Sequence, residues 1–238
     1  QRVWDSTIGA GVWVPEMYGC FRIVLTGDNT KECVIRQPMQ IVTDEDGIEY
    51  PAYINKEGKG TWRFSTPDRG SFNHIGVTQI SDGTLKFDTI AEWGEPCSLG
   101  LSTNLRPDDS RALNEEYFDP SEAYVDYAFL LGSDDSHGEP VFEYSGDGAA
   151  TCNSRPLALA GNGGTLKASN GPLTFADISA KDENQKTTIK LDGEGLNNSV
   201  SNIRDGKYGA QVSVEKNGSG IWTLAGDNDF TGRLNVRE

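Results

Sequence analysis

The sequence predicts an all-β fold built from repeated units. Short segments rich in β-branched and aromatic side chains recur along the 238 residues, and 28 glycines help to separate them. Inside these segments apolar and polar residues alternate, which is the period of a strand with one buried face. Residues 216–224 also repeat residues 56–64 at a distance of 160 positions. Such repetition indicates units that bury their apolar faces on one another.

The strands expected from this pattern follow one another at short spacing. Spacing alone fits a sandwich, a barrel or a solenoid equally well. In chain order the expected strands are 3–4, 12–14, 21–25, 33–35, 39–42, 61–64, 79–81, 129–131, 141–144, 157–159, 165–167, 173–175, 188–191, 211–214, 221–224 and 234–237.

The two copies of the repeat share a lysine, two glycines and a tryptophan. Alternation within each copy predicts that Trp62 and Trp222 point into the core. The glycines are expected to supply positive φ angles at the bends before each strand. A partial third copy, residues 25–29, resembles residues 224–228. The shared positions are Lys56, Gly58, Gly60 and Trp62 in one copy and Lys216, Gly218, Gly220 and Trp222 in the other.

The strand pattern weakens between residues 89 and 131. Ser110 is a plausible N-cap for a short helix over 110–116, and Pro107 and Pro120 lie on either side of it. We therefore expect residues 102–123 to form a helical or loop excursion from the repeated body.

Composition excludes several classes of function. The chain has 21 Lys and Arg against 36 Asp and Glu, a net charge of −15. A surface this acidic repels nucleic acid and anionic lipid, and no apolar run is long enough to span a bilayer. The start at Gln1 is typical of a processed, secreted protein.

The cysteines leave two interpretations open. They allow two disulfides in three connectivities, or they are buried free thiols. The absence of a C-x-x-C pair, with only His74 and His137 available, argues against a zinc site. The four cysteines are Cys20, Cys33, Cys97 and Cys152.

The second copy and its continuation, residues 218–232, resemble the autotransporter-associated β-strand repeat of bacterial passenger domains. The shared features are a glycine-rich start, a Trp or Leu strand, a Gly-Asn turn and an aromatic-Thr-Gly. Residues 60–85 look like a diverged copy, while 98–100, 142–146 and 159–166 are similar to segments that join such repeats. The similar parts cover most of residues 52–238.

This resemblance implies a fold and a location. It implies one right-handed parallel β-helix over residues 1–238, exported by a Gram-negative bacterium and displayed at the cell surface. Residues 1–50 would be a divergent N-terminal cap and first coils, and residues 102–123 an insertion. The family's membrane-anchoring barrel is missing, so we expect a further domain beyond Glu238.

No catalytic, cofactor-binding or metal site is assigned from the sequence. Residues 227–238 match the spacing of a calcium-binding loop, but the EF-hand needs flanking helices and the repeat explains the same residues. The sequence 134–137 invites a triad interpretation, although neighbours in sequence rarely form one. Acidic clusters at 44–46, 108–109, 115–116 and 134–135 are expected to be solvated turns rather than a catalytic pair.

Two functions remain as hypotheses. The first is a non-enzymatic stalk or adhesin that presents a binding surface to a glycan or a surface protein. The second is a polysaccharide-cleaving β-helix enzyme, which would show two or three acids beside a Lys or Arg in a groove. Aromatic residues outside the inward positions are candidates for sugar stacking or, for Trp4 and Trp13, for closing the end of the solenoid. The others are Trp93, Tyr117, Tyr124 and Tyr127.

Overall fold

The structure is a computed structural model, and all regular secondary structure that it describes is β-strand. This confirms the all-β prediction. It describes residues 2–5, 10–13, 16–17, 20–36, 42–43, 49–50, 52–65, 75–93, 95–100, 127–134, 138–175, 177–181 and 184–237, with side chains from residue 23 onward except in 42–52 and 75–76. The excursion at 102–123, with its expected helix, lies outside the described residues. Within the described part no helix is long and apolar enough to cross a membrane.

The strands are short and follow the glycine-rich punctuation of the sequence. In chain order they are β1 (Arg2–Asp5), β2 (Ala10–Trp13), β3 (Glu16–Met17), β4 (Cys20–Thr26), β5 (Cys33–Ile35), β6 (Val42–Thr43), β7 (Glu49–Tyr50), β8 (Ala52–Lys56), β9 (Thr61–Phe64), β10 (Ile75–Ile80), β11 (Thr84–Phe87), β12 (Phe129–Leu131), β13 (Val141–Tyr144), β14 (Ala150–Cys152), β15 (Leu157–Leu159), β16 (Gly163–Ala168), β17 (Leu173–Phe175), β18 (Ile178–Ala180), β19 (Lys186–Gly193), β20 (Asn198–Val200), β21 (Ile203–Arg204), β22 (Gln211–Lys216), β23 (Trp222–Leu224) and β24 (Leu234–Val236).

Three sheets with parallel pairing run along the molecule. Sheet A pairs β4-β8-β10-β12-β15-β18-β21, sheet B pairs β5-β9-β11-β13-β16-β19-β22-β24, and sheet C pairs β14-β17-β20-β23. A strand pairs with the strand one coil earlier, as Leu166 does with Leu191 and Leu191 with Lys216, so a coil takes 25 residues here. Parallel pairing between successive coils is the architecture of a solenoid. The parallel β-solenoid prediction is therefore confirmed.

The first strands depart from this pattern. Strand β1 pairs antiparallel with β2, and β2 and β3 pair antiparallel with β4. The connections between these strands are too short for a parallel crossover but long enough for a hairpin. Parallel pairing begins between β4 and β8. The side chains of Trp4 and Trp13 lie outside the described residues, so their closing role stays a prediction.

The core is a continuous column of inward-facing side chains. On β9 and β11 residues alternate between half-buried and buried, with Trp62, Phe64, Leu85 and Phe87 inside. Parallel register places each inward residue over an inward residue of the previous coil. The inward direction predicted for Trp62 is confirmed, and Trp222 packs half-buried against the same core.

The repeated lysine caps a corner of the solenoid. Lys56 is fully buried, and its ammonium donates to the carbonyls of Glu57 at 3.1 Å, Gly58 at 2.6 Å and Asp82 at 2.9 Å. Burial lowers the pKa of Lys56 to about 8, which leaves the ammonium largely charged at neutral pH. Lys216 repeats the contact and donates to the two carbonyls that follow it, both at 2.7 Å.

The two copies of the repeat lie at different corners. Lys56 ends a strand of sheet A and Trp62 lies in sheet B, whereas Lys216 ends a strand of sheet B and Trp222 lies in sheet C. Their backbone hydrogen bonds nevertheless correspond: the amide of Gly60 donates to Gly27, and the amide of Gly220 donates to Gly193. The repeat therefore specifies a bend between adjacent sheets rather than one fixed position on the coil.

Only half of the glycine prediction is correct. Gly58 and Gly218 have positive φ angles of 73° and 68°, as expected. Gly60 and Gly220 do not adopt positive φ; a Cβ on Gly60 would lie 2.7 Å from the carbonyl oxygen of Gly27. These two positions require glycine because the coil below approaches too closely for any side chain.

Lys56→Met is expected to lower the free energy of unfolding by about 2–3 kcal/mol, because three partly buried carbonyls lose their charged donor. Lys216→Met is the matched control: its ammonium is partly exposed, so water replaces it and the loss is expected below about 1 kcal/mol. Chemical denaturation of both variants measures the difference. Equal losses at the two positions would contradict the capping role of Lys56.

Candidate functional site: a charged cleft beside sheet B

The outer face of sheet B carries an ion-pair ladder across the coils. The carboxylate of Glu143 lies 3.8 Å from the ammonium of Lys86 and 3.6 Å from that of Lys167. Glu32 lies 3.0 Å from Lys86 and 3.6 Å from Arg63. Because each charge faces an opposite one, this part of the face is electrostatically neutralised and stabilises the stacking of coils rather than offering free charges.

A cleft of about 650 Å³ opens at the end of this ladder. Its walls are Arg63 from sheet B, the loop 88–100, which begins at Asp88, on one side and the loop 144–150 on the other. A cleft of this volume is large enough for a monosaccharide, a disaccharide or a peptide side chain. Its lining includes the charged residues Arg63, Asp88, Glu95 and Asp147 and the apolar residues Ile90, Ala91 and Pro96.

The arginine that lines the cleft is held by an acid. The guanidinium Nε of Arg63 donates to Asp88 Oδ1 at 2.7 Å, and the hydroxyl of Ser145 donates to the same oxygen at 3.0 Å. The hydrogen bond and charge of Asp88 raise the pKa of Arg63 above its usual value. Arg63 therefore stays charged and cannot accept a proton from a ligand.

Tyr144 forms the buried back of the cleft. Its hydroxyl donates to the carbonyl of Gly148 at 2.6 Å, which closes the loop 144–150 on itself. Burial, and next the charges of Asp147 and Asp88, raise the pKa of Tyr144. The phenol is thus a structural donor that keeps its proton, and it cannot serve as a base.

Hydrogen bonds hold the described residues of the opposite wall, 88–93 and 95–100, in place. Thr89 and Ser98 bond each other through backbone and hydroxyl groups at 2.7–3.1 Å. The carboxylate of Glu92 accepts the amides of Asn153 at 2.9 Å and Ser154 at 2.7 Å. Burial alone would raise the pKa of Glu92, but hydrogen bonds from the Ser154 hydroxyl and from these amides lower it below its usual value. The cleft is therefore preformed rather than assembled by a ligand.

A buried arginine anchors the end of that loop. Arg155 is fully buried, and its Nη2 donates to the carbonyl of Leu99 at 2.9 Å. Its Nη1 reaches Cys97 Sγ and the carbonyl of Gly100, both at 3.2 Å, and its guanidinium lies 4.8 Å from the ring centre of Phe129. Sequence reasoning did not find this arginine, since nothing in the pattern around Arg155 distinguishes it from a surface residue.

Cys97 and Cys152 are buried thiols, which is the second of the two interpretations that the sequence left open. Cys97 keeps its thiol, which donates to the carbonyl of Gly100 at 3.3 Å. Burial raises the pKa of Cys152 to about 12, so its thiol is not reactive at neutral pH. The side chain of Cys20 lies outside the described residues.

The cleft is not one of the sites considered from the sequence. Of the acidic clusters, 44–46, 108–109 and 115–116 lie outside the described residues, as do His74 and His137. Asp134 accepts the amide of Gly161 at 3.3 Å and lies 3.5 Å from the ammonium of Lys181, which is a surface contact. Among the residues that the structure describes, no group of three or more potential ligands is placed to hold a metal ion.

The calcium-like spacing at 227–238 belongs to a solenoid corner. Asn228 Oδ1 accepts the amide of Ile203 at 2.8 Å, and its amide group donates to Gly226 at 2.9 Å. Residues 234–236 form β24 instead of a helix. These contacts are those of a solenoid corner, and the absence of a calcium site at residues 227–238 stays a prediction from the sequence.

The described aromatic candidates are engaged in packing. Trp93 is half-buried beside Arg155, at 5.7 Å from its guanidinium, and Tyr127 packs against Leu130 and Ala158. Tyr117 and Tyr124 lie outside the described residues. Neither Trp93 nor Tyr127 lines the cleft, and the aromatic ring in its described lining, that of Tyr144, is buried, so the cleft offers hydrogen bonds and charge rather than a stacking ring.

Comparison with known proteins places this architecture in context. The family profile of the passenger-associated transport repeat matches residues 214–238. The BmaC autotransporter adhesin of Brucella suis biovar 1 is 28% identical over 209 residues, which is 82% of this chain but 5% of that protein's length. No solved structure matches the chain significantly.

The family profile matches the same part of the chain that carries the resemblance seen in the sequence. The profile covers Lys216 to Trp222 and the whole continuation through β24, the same residues that carry the resemblance. Passengers of this kind are exported and displayed at the cell surface, so the predicted localisation is confirmed. Residues 214–238 match the passenger-associated transport repeat, and over most of its length the β-solenoid is similar to an autotransporter adhesin.

Proposed function

We propose that this surface-displayed β-solenoid module acts as an adhesin that binds a glycan or protein ligand in the cleft between loops 88–100 and 144–150. The observation that carries the proposal is the preformed cleft on a solenoid similar over most of its length to an autotransporter adhesin. A rigid site on a rigid body loses little conformational entropy on binding. Glu95 and Asp147, both exposed at the cleft, are the acids left to contact the ligand.

Catalysis is the second candidate, because acids beside an arginine are the arrangement that the sequence hypothesis required of an enzyme. Asp88 holds Arg63 in its charged form, and burial keeps Tyr144 protonated, so neither side chain can act as a general base. Any general base in the cleft would therefore be one of its carboxylates, and the depolymerisation assay below decides between catalysis and binding.

Cleft variants test the binding function. The intact chain is applied to a glycan array and to a panel of host surface proteins, together with the double variant Glu95→Gln, Asp147→Asn. Binding is expected to weaken by about tenfold or more, since two charged hydrogen-bond acceptors are lost. The matched control, Glu194→Gln with Asp227→Asn, removes the same charge from exposed positions outside the cleft lining and is expected to bind normally.

The same panel is assayed for polysaccharide depolymerisation with and without calcium. Ligand binding without turnover supports the adhesin function. Calcium-dependent cleavage that the cleft variant abolishes would overturn it in favour of the enzyme. A further domain beyond Glu238 stays a prediction from the sequence.

A further inference from the structure

An exposed tyrosine occupies a strained backbone position in the loop that joins β21 of sheet A to β22 of sheet B. Tyr208 is 70% exposed and has a φ of 51°. The other two non-glycine residues with positive φ in the described part, Asn184 and Asn197, are asparagines, which adopt it readily. For a bulky side chain a positive φ is an outlier, and strain of this kind concentrates at binding sites. The strain at Tyr208 therefore points to a function for its ring.

The turn that carries Tyr208 has a geometry that favours asparagine instead. The amide of Ala210 donates to the carbonyl of Lys207 at 3.3 Å, so Tyr208 and Gly209 are the two central residues of a β-turn. Gly209 has a φ of 83°. Positive φ at both central positions is the requirement of a type I′ turn, whose preferred central pair is Asn-Gly. Tyrosine thus stands where asparagine would fold with less strain.

Asp205 fixes the base of this turn. Its carboxylate accepts the amide of Val212 at 2.7 Å, and it accepts the amide and the hydroxyl of Thr231 at 3.0 and 2.6 Å. Burial alone would raise the pKa of Asp205, but these hydrogen bonds lower it below its usual value. The turn is therefore preformed, and a rigid backbone holds the tyrosine ring out from the surface. A ligand of the ring need not order the loop on binding.

Three cations flank the turn from the two adjoining sheets. Lys207 lies in the turn, and Arg204 ends β21 on the outer face of sheet A. Lys186 begins β19 on the outer face of sheet B and pairs with Gln211, which follows the turn. All three are exposed, and none has an ion-pair partner among the described residues, unlike the lysines of the sheet B ladder. Since Asp205 is occupied by its own hydrogen bonds, this corner offers unpaired positive charge beside an exposed ring.

We propose that Tyr208 and these three cations bind an acidic saccharide, a sugar ring that bears a carboxylate or a sulfate group. The apolar face of the sugar stacks on the tyrosine ring. Its charged group accepts hydrogen bonds from the cations, and Arg204 can donate two of them in parallel. The turn precedes β22, whereas the cleft follows β11 and β13, so the two sites lie at opposite edges of sheet B. The inference therefore does not depend on what binds in the cleft.

Chemical-shift titration of the intact chain tests this site. The probes are sialyllactose, whose charge is a carboxylate, a heparin-derived disaccharide, whose charge is mainly sulfate, and lactose, which is neutral. At least one acidic probe is expected to shift the amides of residues 207–210 and to bind about tenfold more tightly than lactose, an advantage that about 0.5 M salt removes. The acidic probe that binds identifies the charged group that the corner recognises. Equal affinity for lactose, or no shift with either acidic probe, would overturn the proposal.

Tyr208→Asn separates binding from folding. Because asparagine suits the turn, this variant is expected to unfold at a temperature higher by about 1–4 °C, while its affinity for the acidic probe falls about tenfold. Tyr208→Phe keeps the ring and should bind like the native chain. Lys207→Gln should weaken binding of the acidic probe about threefold and leave lactose unaffected. Normal binding by Tyr208→Asn, or a lower unfolding temperature, would contradict the role assigned to the strained tyrosine.

The cleft variant Glu95→Gln, Asp147→Asn is the control for location. It keeps the turn intact and is expected to bind the acidic probe normally. A loss of binding in this variant would assign the saccharide to the cleft and overturn the site at Tyr208. Conversely, loss of binding in Tyr208→Asn alone leaves the ligand of the cleft to be found by the array.

Discussion

Phe142→Ala is expected to lower the free energy of unfolding by about 3–5 kcal/mol. Phe142 is fully buried on β13, and its ring centre lies 4.4 Å from that of Phe87 and 5.1 Å from that of Phe129. Phe175 lies edge-on to it at 6.4 Å. Truncation removes contacts with residues from sheets A, B and C at once, so it leaves a cavity that no single loop can fill.

The matched control is Leu196→Ala, which also shortens a large apolar side chain. Leu196 is 57% exposed, so its loss is expected to cost about 0.5 kcal/mol or less. Chemical denaturation followed by circular dichroism measures both. Similar losses for the two variants would mean that the stacked rings do not hold the three sheets together.

The fold could be predicted because its determinants are local. Alternation on β9, β11 and β22 fixes which side chains point inward, and that pattern is legible in the sequence. The resemblance of residues 218–232 then separated a solenoid from a sandwich or barrel. The antiparallel start at β1–β4 could not be anticipated, because pairing direction depends on connection length and on neighbours, not on alternation.

The internal repeat indicated a solenoid, but the backbone geometry that its two copies share is seen only in the structure. Its two copies lie at different corners, because Lys56 ends a strand of sheet A whereas Lys216 ends a strand of sheet B. What the copies share is a backbone geometry: a lysine facing carbonyls, then glycines that let the next coil approach. The different roles of Gly58 and Gly60 emerged only from the contacts of the coil below.

The cleft could not be predicted from the sequence, because the residues that line it are far apart along the chain. Arg63 and Asp88 meet because β9 and β11 are adjacent in sheet B, and Asp147 joins them from the next coil. Their separations in sequence reflect coil length rather than any motif. The acidic clusters that stood out in the sequence were selected by adjacency along the chain, and of their residues only Asp134 lies in the described part, where it is exposed.

Gly193→Ala is expected to lower the free energy of unfolding by about 3 kcal/mol or more, the larger part of it from backbone strain and overlap. Gly193 has a φ of 105°, which an L side chain rarely adopts. A Cβ here would overlap the carbonyl of Ala168 in the coil below, with its carbon at 2.6 Å. The carbonyl of Gly193 also accepts the amide of Gly220, so movement of this residue propagates to the last coil.

Gly148→Ala is the control, because no atom lies within 4 Å of the position that an added Cβ would occupy and its φ is not positive. Replacing it restricts the unfolded chain without straining the folded one, so stability should stay the same or rise by up to about 1 kcal/mol. Thermal and chemical unfolding of the two variants give the comparison. If Gly193→Ala were tolerated as well as Gly148→Ala, the coils would have to slide apart locally without losing their register. Hydrogen exchange at the amide of Gly220, which donates to the carbonyl of Gly193, would reveal that movement directly.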